Sequence, residues 1–114
     1  MGASSKKDRY AFRAFEMLRE YGHHPVPVNP KYSEIFGEPC YPSIKNVGKR
    51  IDTVTLYLAK SRSDLLIDEI VSVKPRRIIM NPGAENPDLA QRAEVAGIEV
   101  VEACTLVLLR SGRF

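Results

Sequence analysis

A short polar segment near the amino end is the first candidate for chemistry. Gly2, Ala3, Ser4 and Ser5 come directly before an amphipathic stretch that predicts a helix. Amide groups and the positive dipole end at a helix start attract anions, and serine hydroxyls add donors, so this loop is a candidate phosphate site. A Gly-Ser start is equally typical of an ordinary chain terminus, so the residues of the loop alone do not distinguish a phosphate site from a terminus.

A lysine follows the first extended run, which covers residues 24–28 and is closed by Asn29 and Pro30. Lys31 at this strand end suits an adenosine whose ribose carries a phosphate, as in coenzyme A or NADP. NAD is disfavoured, because the strand end has no carboxylate and the chain has no G-x-G-x-x-G fingerprint. A solvated loop lysine is the alternative interpretation.

Two later strand ends add candidate binding residues. Leu58 closes the apolar run 51–58, and Asn81, Pro82 and Gly83 follow the run 77–80. The carboxyl ends of parallel strands form the rim at which open α/β sheets bind ligands, and a glycine there lets a ligand approach the backbone. An ordinary strand-to-helix turn explains the same residues equally well.

The chain offers no recognisable catalytic or metal cluster. His23 and His24 have no carboxylate or cysteine at ligand spacing, and Cys40 and Cys104 lie far apart without a C-x-x-C pattern. We therefore expect two free thiols, no metal and no catalytic machinery.

Hydrophobic periodicity supplies the elements that position these residues. It predicts helices over residues 9–21, after a cap at Ser63, and over 87–96. Apolar runs at 24–28, 51–58, 77–80, 98–101 and 105–109 predict strands, and 31–50 reads as a loop with a helical turn near Ser43. The alternating order predicts one α/β domain over residues 1–114, Rossmann-like and doubly wound, with a mainly parallel sheet and helices on both faces.

The first strand of such a sheet is not apparent in the sequence. A doubly wound domain starts with a strand that leads into the glycine loop, yet only Met1 precedes Gly2. We expect either further apolar, β-branched residues before Met1, or another segment, such as 105–109 or a second chain, in the central position.

Composition bounds the class of partner. The chain is 44% hydrophobic and 27% charged, and it contains neither a membrane-length apolar run nor a secretory leader, which predicts a soluble cytoplasmic domain. The net charge of +3 is spread along the chain and favours a small nucleotide ligand over a nucleic acid or a membrane. A homodimer or an unknown protein partner stays open.

Two segments carry a family resemblance. Val26-Pro27-Val28-Asn29-Pro30-Lys31 and Gly37-Glu38-Pro39-Cys40-Tyr41-Pro42-Ser43 resemble, in order and spacing, the V-x-P-V-N-P-K and G-x-x-C-Y-P-S motifs of short CoA-binding proteins. Those proteins are similar to the CoA-binding domain of the succinyl-CoA synthetase alpha subunit. The resemblance implies a Rossmann-like protein that binds coenzyme A or an acyl-CoA and has no catalytic groups of its own.

The resemblance also implies a binding site. Residues 2–5 would receive phosphates and Lys31 the phosphorylated adenosine end. The remaining contacts would come from Arg9, Tyr10, Asn29 and the strand ends at Leu58 and Asn81. Asn81-Pro82-Gly83 and Cys104-Thr105-Leu106 depart from the family pattern. The alternatives are an NADP-binding, reductase-like protein and an interaction subunit with a vestigial nucleotide cleft.

Overall fold

The computed structural model describes Met1 and residues 10–29, 33–35 and 37–114. Short 3-10 turns cover Ile44–Asn46 and Asp64–Leu66. The helices and strands, in chain order, are α1 (Tyr10–Glu20), β1 (Glu34–Ile35), β2 (Glu38–Pro39), β3 (Thr53–Leu56), α2 (Lys60–Ser63), α3 (Ile67–Ser72), β4 (Arg77–Met80), α4 (Pro87–Val95), β5 (Glu99–Glu102) and α5 (Thr105–Arg110).

The main sheet of the described chain has three parallel strands in the order β3, β4, β5. Val54 lies opposite Ile78, and Ile78 lies opposite Val100. A small antiparallel pair, β1 and β2, stands apart from it. This architecture confirms the predicted α/β class with a parallel sheet.

Helices cover both faces of the sheet. Side chains alternate along a strand, so Val54, Leu56, Ile78 and Met80 share one face. They pack there with residues of α3 and α4 in one buried core cluster. On the other face the Thr55 hydroxyl bonds to that of Thr105 in α5, and α1 packs on α5. The doubly wound arrangement predicted from the βα order is confirmed.

Helix α1 forms where periodicity predicts it. Phe12, Ala14, Phe15 and Leu18 are buried at helical spacing. The helix ends at Gly22, whose φ of 84° is left-handed, and His23 N–H donates to the Leu18 carbonyl at 2.9 Å. Only a residue without Cβ adopts this helix-terminating conformation freely, so the predicted glycine stop is confirmed.

The predicted cap at Ser63 is wrong. The helix begins earlier, at Lys60, and Ser63 is its last residue. The Ser63 side chain is fully buried, and its Oγ accepts from Asn86 Nδ2 at 2.7 Å. A serine hydroxyl can satisfy a helix start or a buried neighbour, and here the tertiary contact replaces the local one.

The predicted strand over residues 105–109 is also wrong, because α5 covers this segment. Leu106 and Leu109 are buried while Val107 between them is 59% exposed, which is helical spacing. A five-residue apolar run does not distinguish a buried strand from a helical turn. This segment therefore does not take the place of the first strand.

Two further expectations concern the region before β3. Residues 24–28 form no strand of the main sheet, and Val28 makes only an isolated parallel bridge to Tyr41. The helical turn near Ser43 is confirmed: Ile44–Asn46 is a 3-10 turn, and Ser43 Oγ accepts from Lys45 N–H at 3.2 Å. None of the helices in the described ranges has the length and apolar character needed to cross a membrane.

Candidate functional site

The carboxyl ends of β3, β4 and β5 form one rim. Because the strands are parallel, the segments that follow them lie along the same edge of the sheet. Four residues predicted from the sequence follow β3 or β4 on this rim. They are Leu58, Asn81, Pro82 and Gly83.

Asn81 holds the rim together. Its Nδ2 donates to Thr55 Oγ1 at 2.8 Å and to the Leu56 carbonyl at 2.9 Å, and its Oδ1 accepts from Thr105 N–H at 2.8 Å. The side chain is 1% exposed. The amide thus points into the protein and ties the end of β3 to the start of α5.

Two threonines and a tyrosine complete this polar cluster. The hydroxyls of Thr55 and Thr105 lie 2.7 Å apart, and Thr105 is fully buried. The Tyr57 hydroxyl is buried without a hydrogen-bond partner among the described residues, and burial raises the pKa of Tyr57. Sequence analysis did not single out these three residues. The only available signal was a threonine at the centre of an apolar strand.

The turn at Gly83 is the open part of the rim. Pro82 and Gly83 are exposed, and Gly83 has a φ of 89° with no atom within 4 Å of the position that a Cβ would occupy. Its N–H donates to Glu85 Oε1 at 3.0 Å. The turn therefore presents a backbone donor to solvent, and that donor already holds one carboxylate oxygen.

Two further residues on the rim, Leu58 and Lys60, make internal contacts. Leu58 is partly buried against the core cluster. Lys60, two residues further on, places Nζ 3.0 Å from oxygens of Asp64 and Asp88, and these carboxylates raise the pKa of Lys60. This lysine is already paired with two anions.

Of the remaining predicted site residues, Asn29 and Tyr10 belong to the described part of the chain. Asn29 N–H donates to the Tyr41 carbonyl at 2.9 Å, and the Asn29 carbonyl accepts from Cys40 Sγ at 3.6 Å. Tyr10 is the first residue of α1 and is 70% exposed. The other six predicted residues, Gly2, Ala3, Ser4, Ser5, Arg9 and Lys31, lie outside the described residues.

The thiols and imidazoles form no shared site. Cys40 is buried, and this burial raises the pKa of its thiol, while Cys104 is half-buried at the start of α5. The His23 ring lies 4.8 Å from the ring of Phe114. Among the described residues no group of histidine, cysteine, aspartate and glutamate side chains is arranged to hold a metal ion.

Comparison with protein families gives one match over nearly the whole chain. Residues 1–110 match the family described as CoA binding domain. The ADP-forming acetate–CoA ligase of Methanocaldococcus jannaschii is 34% identical over 56 residues, which are 49% of this chain and 8% of that enzyme. The chain therefore matches only a small part of this curated relative.

Solved structures share the fold. A crystal structure of an uncharacterized protein is 40% identical with a TM-score of 0.88, and the match covers 99% of this chain and 93% of that one. A Thermus thermophilus protein is 27% identical with a TM-score of 0.90, covering 100% of this chain and 87% of its own. The Rossmann-like architecture is thus found in experimentally solved relatives.

Proposed function

The chain belongs to the CoA-binding domain family, which covers residues 1–110 of it, and from this premise we propose that it binds coenzyme A. The family match is the observation that carries the proposal. The ligand site in this proposal is the rim formed by the carboxyl ends of β3, β4 and β5, because open parallel sheets bind nucleotides at that edge.

The geometry of the rim supports a site of this kind. Gly83 lies in an exposed turn with no atom within 4 Å of a Cβ position, so a ligand can approach its backbone closely. Asn81, which the sequence predicts as a ligand contact, contributes by fixing this rim instead, since the hydrogen bonds of its amide are made inside the protein. Leu58 and Tyr10 supply apolar and aromatic surface in the same proposal.

The phosphate contacts are assigned by the family resemblance. Gly2, Ala3, Ser4 and Ser5 receive the diphosphate through backbone and hydroxyl donors. By the same resemblance, Lys31 would bind the 3′-phosphate of the adenosine, and Arg9, Tyr10 and Asn29 would line the rest of the site. A charge-assisted hydrogen bond from Lys31 would make the affinity depend on that phosphate.

Calorimetry with CoA, dephospho-CoA, NADP and NAD tests the ligand and the role of Lys31 together. We expect CoA to bind most tightly and Lys31→Ala to weaken CoA by about 1.5 to 3 kcal/mol, or roughly 10- to 150-fold, with little effect on dephospho-CoA. Lys74→Ala is the control, because Lys74 precedes β4 at the opposite edge of the sheet. Equal losses for both ligands would refute the assignment of Lys31, and preference for NADP would refute CoA.

Two glycines provide a matched test of the rim. Gly83 and Gly97 have φ values of 89° and 83°, and neither has an atom within 4 Å of a Cβ position. Gly97 precedes β5 at the edge away from the rim. Replacing either with Ala strains the backbone by about 1 kcal/mol, so both variants should lose similar thermal stability. Only Gly83→Ala should weaken CoA binding; equal affinity of the two variants would place the ligand elsewhere.

The proposal includes binding without a reaction. Within the described residues the recorded hydrogen bond of Cys40 goes to the Asn29 carbonyl, and neither thiol is hydrogen-bonded to a histidine. An activated thiol needs such a base or a lowered pKa, and burial acts in the opposite direction on Cys40. Incubation with acetyl-CoA should release no free thiol above background. Hydrolysis that disappears in Cys104→Ala would show a catalytic cysteine instead.

A further inference from the structure

The outer face of α1 borders a shallow depression on the surface. The depression is lined from α1 by Arg13, Glu16, Met17, Glu20 and Tyr21. Arg110, the last residue of α5, lines it as well. These α1 residues lie on the side of the helix opposite the one that packs into the protein. The end of α5 therefore lies beside the outer face of α1, and the two helices present one surface.

Three large apolar side chains reach this surface. Tyr21 is 49% exposed, Val107 is 59% exposed and Met17 is half-buried. Val107 precedes Arg110 by three residues, so both lie on one side of α5. We call these three residues and the four charged residues of the depression the α1–α5 surface. Apolar side chains surrounded by charged ones are typical of a contact between proteins.

The charges of the α1–α5 surface are balanced. Arg13 and Arg110 are positive, Glu16 and Glu20 are negative, and all four are exposed. Within the described residues none of the four takes part in an ion pair. Arg13 and Glu20 are seven residues apart, which is roughly 10 Å along the helix axis. Each of these charges is therefore available to a group outside the chain.

A second copy of the chain complements this order of charges. When two α1 helices pack antiparallel about a two-fold axis beside Met17, the facing helix presents the same residues in reverse order. Arg13 lies about 6 Å before Met17 along the axis, and Glu20 lies about 4.5 Å after it. Each Arg13 then meets Glu20 of the second copy, and the two Met17 side chains pack at the centre.

The balance of charges favours a second copy over a strongly acidic or strongly basic partner. Such a partner would meet as many like charges as opposite ones on this surface. The net charge of +3 makes two copies repel each other as a whole, and a neutral surface adds nothing to that repulsion. A two-fold contact also repeats each favourable pair, so two ion pairs form from two residues of one chain.

We propose that the α1–α5 surface is the contact of a two-fold homodimer, with antiparallel α1 helices centred on Met17 and an Arg13–Glu20 ion pair on each side. The 11 residues of α1 span about 16 Å, so the contact is small. Small contacts give weak complexes, and we expect a dissociation constant of roughly 10 to 100 µM. The proposal does not depend on CoA binding.

Sedimentation equilibrium of charge variants tests the ion pairs. Arg13→Glu and Glu20→Arg each place like charges opposite one another at two points of the dimer, and each should weaken dimerisation at least about tenfold. The variant with both substitutions restores opposite charges, and its dissociation constant should return to within about threefold of the original. Glu94→Arg is the control, because it makes the same charge change at an exposed position of α4 and should leave dimerisation unchanged.

Cross-linking tests the centre of the contact. Met17→Cys places two thiols near the two-fold axis, so a short bismaleimide should link two copies of this variant. Val95→Cys is the control, because Val95 is an exposed residue of α4. Cys40 and Cys104 are present in both variants, so any reaction of these thiols appears in both. Equal yields of linked dimer would place Met17 away from the axis.

The remaining outcomes contradict the proposal. A monomer at concentrations about tenfold above the expected dissociation constant would overturn it. A dimer that Arg13→Glu leaves intact would show that the copies meet on another surface. A double variant that dimerises no better than the single ones would refute the pairing of Arg13 with Glu20.

Discussion

At the scale of single residues, the amine of Met1 couples folding of the 114-residue chain to pH. Burial lowers its pKa to about 5 in the folded state, against 8.0 for an exposed amine. Between these values the unfolded chain binds a proton that the folded chain does not, so the free energy of unfolding rises with pH across this window. The slope is about 1.4 kcal/mol per pH unit, and the contribution is lost as the pH falls to 5.

Acetylation of the amino terminus alone should remove this dependence. Urea denaturation at pH 5, 6, 7 and 8 measures the free energy of unfolding of the free and acetylated chains. We expect the difference between the two curves to change steadily across the window. Parallel curves would mean that the amine is exposed.

The buried hydroxyl of Tyr57 leads to a second prediction. An unpaired buried hydroxyl costs about 1 to 3 kcal/mol, so Tyr57→Phe should keep or raise the melting temperature. Tyr21→Phe is the control, because Tyr21 is 49% exposed and its change should have no effect. A clear loss of stability in Tyr57→Phe would reveal a hydrogen bond to that hydroxyl.

At the scale of elements, Asn86 connects two helices. Its Oδ1 accepts from the N–H groups of Asp88 and Leu89 at the start of α4, and its Nδ2 donates to Ser63 Oγ and Asp64 Oδ1. The side chain is fully buried. One amide therefore both caps α4 and binds it to the end of α2.

Two substitutions at Asn86 separate these roles. Asn86→Ala removes the cap and the two donated bonds, and we expect a loss of about 2 to 4 kcal/mol in the free energy of unfolding. Asn86→Ser keeps a capping oxygen and should lose roughly half as much. Equal losses in chemical denaturation would show that the cap contributes nothing.

The elements differ in how well the sequence predicts them. Helix α1 combines a clear apolar face with a glycine stop, so its local signals agree with its packing. Helix α5 is only six residues long, and its start is held by Asn81, which is distant in sequence. Ser63 failed as a cap for the same reason: its partner, Asn86, lies on another helix. Local sequence patterns do not reveal contacts between residues that lie this far apart in the chain.

At the scale of the whole molecule, the alternating order of strands and helices correctly predicted a parallel sheet with helices on both faces, but two of the five predicted strands, 24–28 and 105–109, are not part of the sheet. It also placed Leu58, Asn81, Pro82 and Gly83 at strand ends, and the structure brings the ends of β3 and β4 to one edge. The direction in which Asn81 points was not predictable, because it depends on where α5 begins. The sequence therefore predicted where the rim lies, but it did not predict which polar side chains on the rim face a ligand and which bond inside the protein.

The outer edge of β3 also affects how molecules of this chain associate with one another. In the described part of the chain, β3 is the outer strand of the main sheet, and an exposed strand edge recruits other chains and leads to aggregation. On the segment 25–28, Pro25 and Pro27 have no N–H, so a neighbouring strand finds no donor at those two positions. We expect concentrated solutions of the 114-residue chain to scatter light increasingly with time. Scattering that stays constant would show that the β3 edge does not recruit other chains.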